Sequence, residues 1–299
     1  HGDFSPREDA PRLCACSIRS SGFSHVADGV DAVRKAAREE LRRGALQVKI
    51  MASGGVASPT DPIWNLQYSL DEMRAIVEEA HGWRTYALAH AYTPEAITRA
   101  VRAGVRSIEH GNLIDAETAA LMAREGAFLV PTLVTYFKIE ELGRALGFPA
   151  VSQRKVKDVL DAGLASLEIA KAAGVAIGFG TDLLGETHEH QNQEFAIRAR
   201  VLPAAEILRS ATLVNATLLR REGELGVVAP GAFADLLVVD GDPLADVTLL
   251  EPESWSRSAL HQADPDLLER AANILGEAER PLICAGGGGI PTTWVPGEE

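Results

Sequence analysis

Short apolar runs alternate with amphipathic stretches along most of the chain. Val30 to Arg43 has helical spacing and dense charge, with Gly44 placed to end it. Leu46 to Met51 then reads as a strand, and Ala52-Ser53-Gly54-Gly55 as the loop that follows. The same alternation predicts helices over Ser69 to His81, Thr93 to Ala103, Asp115 to Glu125 and Val151 to Ala173. Between them it predicts strands over Thr85 to His90, Val105 to His110, Phe128 to Thr132 and Val175 to Gly180. Ser69 and Glu72 have capping-box spacing, and Pro94 suits the first turn of its helix. Strict alternation of this kind points to parallel βα units. The fold expected is α/β: an incomplete (β/α)8 TIM-type barrel of about five C-terminal βα units, since closure takes about eight strands.

After Pro203 the texture changes. Pro203 to Leu219 reads as a helix, and Leu225 to Gly231 and Ala234 to Asp240 read as the two strands of a compact β-hairpin. Asp266 to Glu279 is amphipathic and helical, and Arg280 to Ala285 is strand-like, running into Gly286 to Gly289. That glycine run lacks a following Lys-Ser/Thr or a spaced G-x-G-x-x-G, so it is a weak phosphate-loop signal. The expected division is a partial hydrolase barrel over 1–220, a β-sandwich segment over 221–250 and an unrelated or fused tail over 251–299.

With 299 residues and 46% hydrophobic content the chain can bury a sizeable core. Its net charge of -13 argues against nucleic-acid or anionic-membrane partners, which favour basic surfaces. No apolar run approaches the ~18 residues of a membrane span. Cys14, Cys16 and Cys284 form neither a disulfide framework nor a zinc-finger spacing. His1-Gly2-Asp3-Phe4-Ser5 has no initiator Met and no signal-peptide pattern, so a mature product, a fragment or a truncated gene product is expected, with a cytoplasmic address as the default.

The candidate chemistry sits where strands run out. Lys49, His90, His110 and Asp182 each end an apolar run, and in a parallel barrel such ends gather around one mouth. Neutral imidazoles and carboxylates suit zinc. A lysine ammonium does not, because it has no lone pair. The plainer alternatives are a strand-end lysine paired with a carboxylate, hydrogen-bonded structural histidines, and an N-cap role for Asp182. Tyr92 stands two residues past His90, placed to polarise a carbonyl or simply to pack. Arg198 and Arg200 are candidates for holding a substrate carboxylate, with surface pairing the plainer role.

Taken together, Val-Lys-Ile-Met-Ala-Ser-Gly-Gly at Lys49, Ala-His-Ala-Tyr at His90, Ile-Glu-His-Gly at His110 and Gly-Thr-Asp at Asp182 resemble the amidohydrolase superfamily. Leu225 to Asp240 looks like its C-terminal signature, and Lys49 to Leu70 is similar to the Xaa-Pro dipeptidase, or imidazolonepropionase-like, branch. The resemblance covers roughly residues 1 to 250. It implies hydrolysis of a C–N bond, most plausibly in Xaa-Pro dipeptides, by hydroxide bridging two divalent ions, with zinc expected. It further implies a carbamylated Lys49 bridging those ions, His90 and His110 as ligands, and Asp182 as ligand and proton shuttle. Tyr92 would stabilise the oxyanion and His1 would contact a small-molecule or dipeptide substrate. A cyclic amide hydrolase, a deaminase, and an inactive fragment whose open sheet edges invite homo-oligomers are the alternatives.

Two departures accompany the resemblance. The family's His-x-His pair is not found before Lys49, and His188-Glu189-His190 lies after Asp182. Leu267 to Gly289 is instead similar to the start of the central domain of thiamine-diphosphate enzymes, without their cofactor-binding parts.

Overall fold

The computed structural model describes residues 24–237, 239–250 and 284–285. By spatial grouping the chain divides into two compact units, His1–Leu202 and Pro203–Glu299. In the first, helix and strand alternate: α1 (Val30–Arg42), β1 (Val48–Met51), α2 (Leu70–Gly82), β2 (Ala87–Ala91), α3 (Pro94–Arg102), β3 (Ser107–His110), α4 (Ala116–Glu125) and β4 (Phe128–Val130). α5 (Leu133–Leu142), α6 (Ala150–Ala173), β5 (Ala176–Ile177) and α7 (Gln193–Arg198) follow. The strands form a five-stranded parallel sheet in the order β1-β2-β3-β4-β5. Consecutive parallel strands joined by helices are the repeat from which (β/α) barrels are built.

Capping chemistry sets the helix boundaries. At α2 the Ser69 hydroxyl accepts from the Glu72 amide at 3.2 Å, while Glu72 accepts from the Ser69 amide at 2.6 Å. Thr93 and Asp115 cap α3 and α4 through their side-chain oxygens alone, and Pro94 occupies the first turn of α3. Ser69→Ala is expected to lower stability by about 1 kcal/mol. Urea unfolding would show this as a lower midpoint at unchanged slope.

Side chains alternate across each strand, which sorts the sheet into two faces. Val48, Ile50, Ala87, Ala89, Ala91, Ile108 and Leu129 form one face and pack on Leu41, Met73, Ile76, Ile97 and Met122 from the helices. The residues between them share the other face, where register sets Lys49 beside Leu88, Leu88 beside Ser107, and His90 beside Glu109. The core therefore fixes which polar side chains look away from the helices.

α5 was not predicted from the sequence. Leu133, Val134, Thr135, Tyr136, Lys138 and Ile139 are all buried, so the helix has no polar stripe to reveal its period. β5 is shorter than expected, although the Gly178 amide still donates to the Leu129 carbonyl at 2.8 Å.

In the second unit the expected helix becomes α8 (Ala204–Arg209), a π-helical turn (Ser210–Val214) and α9 (Asn215–Leu218). Among the described residues, the hairpin expected over 225–240 does not form. Leu225 bridges Glu222, and β6 (Leu236–Leu237) pairs antiparallel with β7 (Cys284–Ala285). Gly226 and Gly231 explain this, since their φ values of 72° and 90° cannot continue a ladder. At Gly226 a Cβ would also come within 2.6 Å of the Thr212 backbone. No helix among the described residues is long and apolar enough to cross a membrane. His1, Cys14, Cys16 and the expected helix over 266–279 lie outside the described residues.

Candidate functional site

Lys49, His90, Tyr92, His110 and Asp182 meet at the rim where the strands end. Lys49 Nζ lies 3.8 Å from Asp182 Oδ1, and His110 Nε2 lies 3.8 Å from Asp182 Oδ2. The His90 and His110 rings stand edge to face at 4.5 Å, and Tyr92 stacks on His110 at 5.4 Å. As an amine facing a carboxylate with both side chains over two-fifths exposed, the Lys49 contact adds little stability. Its interest is its position.

Alternation alone accounts for Lys49 and His90 but not for His110. In register with Ala91, His110 would face the helices. Its φ of 79° is left-handed and turns the side chain to the rim; Thr132 and Asp182, both at 49°, share this backbone region. A non-glycine residue held there costs about 1–3 kcal/mol. The surrounding packing thus sustains strain at three neighbouring positions, each with a side chain in the cluster.

Each histidine has one ring nitrogen engaged by the protein. His90 Nε2 lies 2.9 Å from the Gly54 carbonyl, which can only accept, so Nε2 carries the proton and Nδ1 is bare. His110 Nδ1 lies 2.7 Å from Thr132 Oγ1. Burial pushes the His90 imidazole down to about 3, helped by its neighbour His110. Burial, then the Lys49 charge, holds His110 well below its ordinary value. Both rings are therefore neutral near pH 7, the state that ligates metal; the Gly54 carbonyl, an acceptor only, fixes the His90 tautomer, and Thr132 Oγ1, whose hydroxyl also bonds Tyr136, is placed to accept from His110 Nδ1.

These donors fit a divalent ion. The 3.8 Å between His110 Nε2 and Asp182 Oδ2 is too long for a hydrogen bond. A cation with bonds of about 2.0–2.2 Å to each atom can span it. Among the described residues no three His, Cys, Asp or Glu side chains close a cage. An unmodified Lys49 offers no lone pair and adds nothing to such a cage. His190 of the late His-x-His motif lies 3.5 Å from Glu189 and 3.4 Å from Gln193.

Tyr92 is buried, which pushes its phenol above the ordinary range and keeps it protonated. Its oxygen accepts from the Tyr136 hydroxyl at 3.0 Å and from the Val56 backbone amide, leaving its own proton to be donated. Glu109 shares the Lys49 and His90 face; burial raises its carboxyl to about 7, against the Ser107 hydroxyl that donates to it at 2.7 Å. Lys155 of α6 donates to the carbonyls of Gly55, Ser58 and Asp61 at 3.1, 2.6 and 2.6 Å, holding the loop that carries Gly54.

Thr132, Tyr136 and Lys155 were not singled out by sequence. Thr132 and Tyr136 fall in a largely apolar, buried stretch, and Lys155 sits in a helix rich in exposed charge. Arg198 differs from the expectation of surface pairing: it is fully buried and donates to Glu194 at 2.7 Å. The Arg200 guanidinium lies 4.9 Å from the Phe137 ring centroid. Thr132→Val removes the His110 partner and is expected to weaken any divalent-metal binding at this site about 10–100-fold, read by competition with a chromophoric chelator.

The sequence profile of the amidohydrolase family, which generally binds divalent metals, matches residues 7–259. The chain is 32% identical over 227 residues to an ochratoxinase of Aspergillus niger, spanning 76% of this chain and 47% of that protein. It is 56% identical to a prolidase crystallised with N-methylphosphonate-L-proline, with a TM-score of 0.79 over 84% of this chain and 62% of that one. A Xaa-Pro dipeptidase with methionine bound in its active site is 34% identical, with a TM-score of 0.71 over 76% and 56%. The chain spans about half the length of that ochratoxinase and about three-fifths of these solved chains.

Proposed function

The chain belongs to the amidohydrolase family, and on that premise we propose that the full-length protein hydrolyses the C–N bond of Xaa-Pro dipeptides. The observation that carries this reading is the meeting of Lys49 on β1, His110 at the end of β3 and Asp182 in the segment after β5, with contacts of 3.8 Å. His90, His110, Asp182 and Lys49 as its carbamate would hold divalent cations, zinc foremost, which make a water acidic enough to attack at neutral pH.

The chain's own groups account for the remaining steps. Asp182 takes the proton of the attacking water as its oxygen bonds to the scissile carbonyl carbon. Tyr92 donates its remaining proton in a hydrogen bond to the carbonyl oxygen as charge develops there. Asp182 then passes its proton to the departing prolyl nitrogen, so the C–N bond breaks to give a secondary amine and a carboxylate. Burial of Tyr92 keeps bulk water from screening its hydrogen bond to the carbonyl oxygen.

Support for proline on the leaving side comes from the relatives, a prolidase and a Xaa-Pro dipeptidase. Initial rates on a panel of Xaa-Pro dipeptides and cyclic amides test the reading. Turnover of Xaa-Pro substrates is expected; turnover of ring substrates alone would overturn it.

A further inference from the structure

Glu194 and Arg198 lie one turn apart on α7, both fully buried, and neither is among the expected metal ligands. Glu194 Oε1 accepts from Arg198 Nε at 2.7 Å, and Oε2 accepts from the Val134 backbone amide at 2.7 Å. Arg198 Nη1 donates to the Gly178 carbonyl at 2.8 Å, and its guanidinium lies 4.5 Å from the Phe179 ring centroid. The pair thus grips two places: the first turn of α5 and the chain leaving β5.

The grip on α5 replaces a missing cap. The first amides of a helix have no partner within it, and an N-cap threonine ordinarily receives one of them. Thr132 is that N-cap, yet it makes no cap bond. Its backbone is left-handed, and its hydroxyl is 2.7 Å from His110 Nδ1 instead. Glu194, reaching from another helix, receives the Val134 amide in its place. A carboxylate there also suits the positive end of the helix. Burying that carboxylate needs a counter-charge. Arg198 supplies it and uses a second N–H on Gly178, four residues before Asp182.

We propose that Glu194 and Arg198 are positioning residues: the buried pair caps α5 so that the Thr132 hydroxyl stays on His110, and it anchors the segment leading to Asp182. This rests on the hydrolase reading only in treating His110 and Asp182 as metal ligands. The exchange of caps stands on the hydrogen bonds themselves. Without the Glu194 carboxylate, the Val134 amide loses its acceptor, and the adjacent Thr132 hydroxyl is the natural substitute. His110 Nδ1 then loses the hydroxyl 2.7 Å away, which is placed to accept its proton while bonding Tyr136.

The test uses full-length protein labelled with 15N in its histidines, stripped of metal, and observed by long-range 15N–1H NMR. The wild type is expected to show His110 as one tautomer protonated on Nδ1. Glu194→Ala is expected to show a mixture of tautomers and about 10–100-fold weaker zinc binding. Glu194→Gln keeps the shape but must turn an amide donor toward either the Val134 amide or Arg198, so it is expected to shift in the same direction, and it serves if the alanine variant does not fold. Leu41→Ala, in the core between α1 and the sheet, separates this from general loosening: it should melt earlier and keep the single tautomer. A folded Glu194 variant with the wild-type tautomer and zinc affinity overturns the proposal. Tautomer mixing in a protein that hydrolyses no Xaa-Pro substrate would support the pair's role while overturning the hydrolase reading.

Discussion

Lys49→Ala is expected to lower turnover of an Xaa-Pro dipeptide by about 10³-fold or more, the size of losing several kcal/mol of metal-derived stabilisation. Stability should hardly change. The Lys49 side chain is nearly half exposed, while its neighbours Val48 and Ile50 carry the β1 core contacts. Surface truncations of this kind stay within about 0.5 kcal/mol. Two companion measurements separate a carbamate from a simple ion pair. Short carboxylic acids such as propionate should restore part of the Lys49→Ala activity by supplying the missing carboxylate. Lys49→Arg should be as inactive as Lys49→Ala, because a guanidinium keeps the charge facing Asp182 but forms no carbamate. An active arginine variant would reduce Lys49 to an ion-pair partner of Asp182.

Asp182→Asn is expected to cut kcat by about 10²–10⁴-fold, the range for removing a positioned proton-transfer group. Asparagine suits the test because Asp182 has a φ of 49°, a region that asparagine also tolerates. The change therefore removes charge and basicity while sparing the backbone. Pre-steady-state and steady-state rates on the same dipeptide would locate the loss in the chemical step. An unchanged kcat with a raised KM would assign Asp182 to substrate binding instead.

The sheet and half of the site were legible in the sequence because both follow from period-two alternation. Apolar residues at 48, 50, 87, 89 and 108 had to face the helices, so Lys49 and His90 had to face away. His110 and Asp182 reach the rim through left-handed backbone, which no side-chain pattern announces; only the Gly-Thr-Asp and Ile-Glu-His-Gly motifs pointed to them. α5 stayed hidden because burial on every side erases helical period, and with it Thr132 and Tyr136. Arg198 was misjudged for a related reason: a charged residue reads as solvent-facing unless its buried partner, here Glu194 four residues earlier, is weighed with it. The hairpin over 225–240 failed where Gly226 and Gly231 take turns that the apolar count ignored.

The proposed chemistry requires divalent metal at one rim, held by these side chains. Crystals of the full-length protein grown with zinc and bicarbonate, measured on either side of the zinc absorption edge, address it directly. Anomalous peaks are expected at ligand distance from His110 Nε2 and Asp182, with density on Lys49 extending beyond Nζ as a planar carboxylate. A bare Lys49 amine paired with Asp182, and no anomalous signal at the rim, would contradict it.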